Sequence, residues 1–202
     1  MSVPWRYEVK KTGKLKIHNL AGAWSADVQK AISKFKSLAF PVELIPAPKE
    51  TEANVVIKLA TGPDSHDFKS TEYEEVTVKT GADFRPDAPH GSTVAVFAQQ
   101  TDEILFAVIF LPGNLSNPSA EMKEVVIIHE FIHACGMVSK EKDRNKNKQL
   151  THDNEGIMYD IMVAAGRGLI EGNKPKGKKP MPPIRVGGKT RKEIKAAWSQ
   201  SE

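Results

Sequence analysis

His129, Glu130 and His133 fall within five positions of one another in the apolar run Val125 to Gly136, VVIIHEFIHACG. On a helix, side chains four apart project from one face, so both histidines can reach a single metal ion. Glu130 follows the first histidine directly and stands at the edge of the ion's open position, where a general base for a bound water belongs. These residue types at this spacing point to metal-assisted hydrolysis. The flanks agree with that reading. Val125 to Ile128 lead in, and Phe131, Ile132, Cys135 and Met137 continue, the pattern of a helix buried on most sides. The competing explanation is a core helix that carries two satisfied histidines. Adjacent His and Glu in so apolar a run cost several kcal/mol if unpaired, and a metal is the partner that makes their burial tolerable.

HEFIHACG, followed by HDNEGIMYD over residues 152–160, resembles the metzincin zinc peptidases, whose signature is HExxHxxGxxH followed by a methionine turn. The Ile157-Met158-Tyr159 wording is most similar to the matrixin branch. Gly136 matches the glycine at which that family's helix ends, a turn that suits glycine because positive φ carries no penalty there. The family's third histidine would fall at 139, which is Ser139, and the next histidine is His152. The intervening polar, lysine-rich stretch, 139–151, reads as a basic insertion in the connecting loop. Closure entropy grows slowly with loop length, so the longer excursion is compatible with a site. The resemblance implies Zn²⁺ held by His129, His133 and His152, with water in the fourth position. Glu155 is the alternative third ligand, after the glutamate of gluzincins, and Asp153 a weaker one. Met158 is implied as an apolar floor beneath the histidine rings, and Tyr159 receives no metal role.

The elements that must position these residues follow from hydrophobic periodicity. Leu15 to Ile17 reads as a first strand, and Trp24, Val28, Ile32, Phe35 and Leu38 recur at helical spacing, with Ser25 placed to cap and Pro41 to stop the helix. Val42 to Ile45 and Val55 to Leu59 read as strands, the second suited to a buried parallel position. The polar stretch Thr61 to Pro89 offers only Val76 and Val78 as a short strand. Thr93 to Ala98 and Ile104 to Phe110 lie close enough to form a hairpin. Ser119 to Glu121 begins the histidine-bearing helix, and Thr190 to Glu193 has the spacing of a capping box before a last helix at 190–199. The resemblance implies a single α+β zincin catalytic domain over residues 1–202. It has a twisted mixed β-sheet with an antiparallel edge strand, packed on two long helices, and a C-terminal helix. It casts Val94, Ala95, Val96, Phe97 and Ala98 as that edge strand, binding extended substrate by strand addition.

At 202 residues and 40% hydrophobic, the chain suffices for one domain with a proper core. No apolar run is long enough to span a bilayer. MSVPWRYEVKK holds no segment of secretory type and no upstream cysteine that could occupy the metal. The expected setting is therefore intracellular or virion-associated, without built-in latency. The single cysteine, Cys135, excludes an internal disulfide and reads as packing. Charge is uneven: residues 140–148 carry +3 and 172–202 carry +7, so the rest of a chain of net +4 carries −6. The stretch 166–182 reads as a flexible basic segment. His66, near Asp64 and Asp67, reads as a surface-loop histidine, as do His18 and His90. The expected function is a zinc-dependent endopeptidase acting on peptide or protein substrates, with Glu130 as general base. The alternative is a nucleic-acid-associated zinc-binding or structural protein that uses the basic loop and tail.

Overall fold

The valine- and isoleucine-rich runs near residues 55–60 and 104–112 need a paired neighbour on each side and cover on each face, as buried parallel strands do. The computed structural model of the protein supplies both. It describes residues 2–69, 75–137, 147–149, 170–171, 173–177, 181 and 183–199. In chain order its elements are α1 (Tyr7–Thr12), β1 (Lys14–Leu20), α2 (Ser25–Lys36), β2 (Glu43–Pro46), β3 (Val55–Ala60), β4 (Asp64–Phe68), β5 (Val76–Thr80), β6 (Ser92–Phe97) and β7 (Ile104–Pro112). Then follow α3 (Ala120–Ala134), β8 (Asn147–Gln149), β9 (Ile170–Glu171), β10 (Lys174–Pro175) and α4 (Gly188–Trp198).

The fold is α+β. Five strands make a mixed sheet in the order β2-β1-β3-β7-β6, extended at one end by the short β8. β2, β1, β3 and β7 are mutually parallel, and β6 is antiparallel to β7. Period-two alternation sends Val55, Ile57, Ala107 and Ile109 to one face, the face that α2 and α3 cover. Val56, Phe106, Val108 and Phe110 go to the other, beneath Phe68 and Val78 of the β4–β5 hairpin. Phe68 stacks on Phe106 with centroids 4.1 Å apart. Between helices, Phe35 meets Phe131 edge-on at 5.9 Å, and Lys123 pairs with Asp27 at 3.1 Å.

Several local expectations are corrected. Ser25 is the first residue of α2, not its cap; the chain enters through a 3₁₀ turn, Gly22–Trp24, with no side-chain cap bond. Asn19 organises that entry instead, accepting from Ala21 N and donating to Ser25 O. α2 stops at Lys36, before Pro41 acts, and Ser37 donates back to Lys34 O at 2.7 Å. The capping box at Thr190 does not form, because α4 starts earlier with Gly187 at its N-cap and Thr190 is buried in its first turn. His66 sits in β4, where Glu50 holds its ring, so it is not a loop residue. Of 139–151 only β8 is described, and within 166–182 β9 pairs antiparallel with β10. No described helix is long and apolar enough to cross a membrane.

Candidate metal centre

α3 presents the histidines, and both its ends are secured. Ser119 accepts from Met122 N at 3.1 Å, satisfying one of the donors a helix start leaves open. At the other end the last carbonyls lack helical partners. Trp5 Nε1 donates to Ala134 O at 2.8 Å, and Trp198 Nε1 to Cys135 O at 2.9 Å. The two indoles come from opposite ends of the chain and close on the same turn, one and two residues beyond His133. Gly136 follows with φ of +108°, and its carbonyl accepts from Val3 N at 2.7 Å.

Within this frame His129, Glu130 and His133 are 9, 2 and 4% exposed. The imidazoles meet edge to face, with centroids 4.7 Å apart and Nε2 atoms 3.1 Å apart. Two ligand nitrogens at ~2.0–2.1 Å from a tetrahedral zinc lie about 3.3 Å apart, so this spacing fits a shared ion. His133 Nδ1 lies 3.4 Å from the Met137 carbonyl. A proton on Nδ1 puts the lone pair on Nε2, the atom that would act as ligand, the arrangement usual for metal-bound imidazole. Glu130 Oε1 is 3.9 Å from His129 Nε2. Its other oxygen, Oε2, accepts from the Thr93 hydroxyl at 2.6 Å, and the Gly91 N–H also donates to the carboxyl group. Burial pushes this carboxyl up to about 7, against the downward pull of those two hydrogen bonds. Among the described residues these three form the one group of three or more metal-capable side chains, with ligand atoms within 4.8 Å of one another.

His152, Asp153, Glu155, Met158 and Tyr159 lie outside the described residues. Val94 to Ala98 was expected to form an open edge, and that is corrected. β8 pairs with Val94, Ala95 and Val96 on the side away from β7. Val94 and Val96 also point into the second core, beneath the β4–β5 hairpin. His66 bonds Glu50, Asp64 pairs with Lys58 and Asp67 accepts from Thr77, so they form no second metal cluster. His18 and His90 each sit against a backbone carbonyl, of Ala47 and Ala88. Cys135 is buried, and burial pushes its thiol well above the usual range. Gly91 and Thr93 escaped the sequence reading. The available signal was a hydroxyl at a helix-facing position of an otherwise apolar strand, STVAVF.

No protein-family model matches the chain, and no curated protein is significantly similar to it. What the chain holds is a buried His-Glu-His group able to bind a metal ion.

Proposed function

We propose that the protein is a zinc-dependent endopeptidase of metzincin-like architecture. The observation that carries this reading is the pair of Nε2 atoms 3.1 Å apart with a buried carboxylate oxygen 3.9 Å from one of them, all on one helical turn. His129 and His133 would hold the ion, with His152 as the third ligand and Glu155 as its alternative. Bound there, zinc would bring the pKa of a water toward ~7 and polarise a carbonyl oxygen. Glu130 would accept a proton from that water at Oε1 as the water's oxygen bonds the carbonyl carbon, and would pass it to the amine nitrogen that leaves as the C–N bond breaks. In the metal-free fold burial raises this carboxyl toward neutrality, the direction that suits a group which must both take a proton and give it up. The direction of β8 supports His152. Its register runs from Asn147 opposite Val96 to Gln149 opposite Val94, toward the end of β6 that carries Thr93. His152 follows three residues later, within about 10 Å of extended chain.

The test compares the parent protein with Glu130→Gln for zinc content and for cleavage of a peptide library. Glu130→Gln is expected to keep zinc and lose at least about a hundredfold in turnover, as removal of a general base does. Equal cleavage by both would remove Glu130 from the chemistry. A parent that binds zinc and cleaves nothing, yet holds nucleic acid with affinity falling steeply with salt, would favour the nucleic-acid alternative.

A further inference from the structure

β6 approaches α3 with its smallest groups. Gly91 precedes the strand, and Thr93 and Ala95 face the helix, both fully buried. A Cβ at Gly91 would lie 2.6 Å from Glu130 Cγ and 2.8 Å from Cδ, so only glycine leaves room for the side chain where it stands. The Gly91 N–H and the Thr93 hydroxyl both reach the carboxyl group, the latter at 2.6 Å. The Thr93 oxygen is also 3.3 Å from the Glu130 backbone carbonyl, but one hydroxyl has one proton to give, and the carboxylate is nearer. The opposite oxygen, Oε1, is left 3.9 Å from His129 Nε2. That is farther than the 3.1 Å between the two imidazole nitrogens and than the about 3.3 Å between two ligand atoms on one tetrahedral zinc, a separation that favours a carboxylate beside a shared ion over one bound to it.

We infer that Thr93 and Gly91 are a clamp for Glu130. They are positioning groups that fix its carboxylate as a proton acceptor and keep it from swinging onto the metal as a ligand. The inference rests on the metal-hydrolase reading above and adds to it the device that separates base from ligand on a single helical turn. Releasing the carboxylate would give up its short bond to Thr93, whose hydroxyl would keep only the longer contact to the Glu130 backbone carbonyl, and would cost the buried Gly91 N–H this acceptor, so the clamped arrangement is favoured.

The experiment uses the full chain with Thr93→Val, Thr93→Ser, Gly91→Ala, Glu130→Gln and His129→Ala. Zinc affinity is measured by chelator competition, and the carboxyl stretch by isotope-edited infrared difference against Glu130→Gln. With a cleavable peptide, kcat and KM are measured separately. Thr93→Val and Glu130→Gln are expected to bind zinc within about tenfold of the parent, and His129→Ala more than about a hundredfold more weakly. Thr93→Val is expected to shift the Glu130 band and lower kcat by about ten- to a hundredfold with KM within threefold. Thr93→Ser should restore both, and Gly91→Ala should lower kcat like Thr93→Val. Should Thr93→Val fail to fold, Thr93→Ala replaces it. An unmoved infrared band, or Glu130→Gln losing zinc as severely as His129→Ala, would overturn the clamp. A parent that cleaves no peptide would sink the peptidase reading alone, because affinity and infrared still decide how Glu130 is held.

Discussion

Glu130 is 2% exposed, and its pKa, raised from 4.5 to about 7, makes the metal-free fold sensitive to pH in a definite direction. Below about pH 4.5 the carboxyl is protonated in both folded and unfolded chains and contributes no difference. Between about 4.5 and 7 the unfolded chain releases the proton while the folded one retains it, so stability falls as pH rises and levels off above about 7. A displacement of this size corresponds to about 3 kcal/mol. The metal-stripped parent should therefore lose about that much stability across the interval relative to Glu130→Gln, which has no such proton to release. Urea midpoints at pH 4.5, 6 and 7.5 measure it, and parallel curves for the two proteins would show that the carboxyl is not held in a dry site. Saturating zinc should shrink the difference, because a cation beside the carboxylate favours its ionised form.

At the scale of elements, the end of α3 depends on one glycine. Gly136 has a φ of +108°, and a Cβ there would collide with the Val3 carbonyl oxygen. Gly13, at the C-cap of α1, also has positive φ, +64°, but open space around it. Gly13→Ala should cost about 1 kcal/mol, the backbone term alone. Gly136→Ala should cost at least about 3 kcal/mol, since the N-terminal segment must also be displaced. It should weaken zinc binding too, because Met137, whose carbonyl faces His133 Nδ1, is the next residue. Denaturation of both variants checks this, and equal losses would mean that the contact with Val3 carries no weight. The same region shows what sequence could and could not disclose. α3, β3, β7 and the β6–β7 hairpin were legible because their apolar residues repeat at 3.6 or 2 over many positions. The clasp of Trp5 and Trp198 on α3 was not, since an indole's partner more than sixty residues away leaves no local trace. β4, DSHDF, is mostly polar and becomes a strand by pairing with β5 and burying Phe68. The expected caps at Ser25 and Thr190 failed for a related reason: Asn19 and the earlier start at Gly187 had already settled those helix entries. For the site, the His129–Glu130–His133 spacing was readable, whereas Thr93 and Gly91 acquire their role only when β6 is laid against α3.

At the scale of the whole molecule, the proposed metal centre needs a third ligand from beyond α3, and the one described strand there limits which residue could supply it. α3 ends at Ala134, and the next described strand, β8, is antiparallel to β6 and heads for the end of that strand where Thr93 holds Glu130. In sequence, His152 lies four residues past Lys148, the last basic residue of the insertion. A neutral imidazole can enter a buried site with less desolvation cost than the charged Glu155. As third ligand His152 would also complete a three-histidine set with one position left for water, the composition of an open catalytic zinc site. His152→Ala should therefore lower zinc affinity by at least about a hundredfold, as loss of one of three protein ligands does, while Glu155→Ala stays within about tenfold of the parent. Metal analysis after dialysis against a competing chelator separates the two. The reverse pattern would transfer the third position to Glu155 and place the centre with the two-histidine, one-glutamate zinc peptidases. Zinc retained by both variants would mean that the described histidines are completed from elsewhere in the chain, and the assigned path from β8 to the metal would fall.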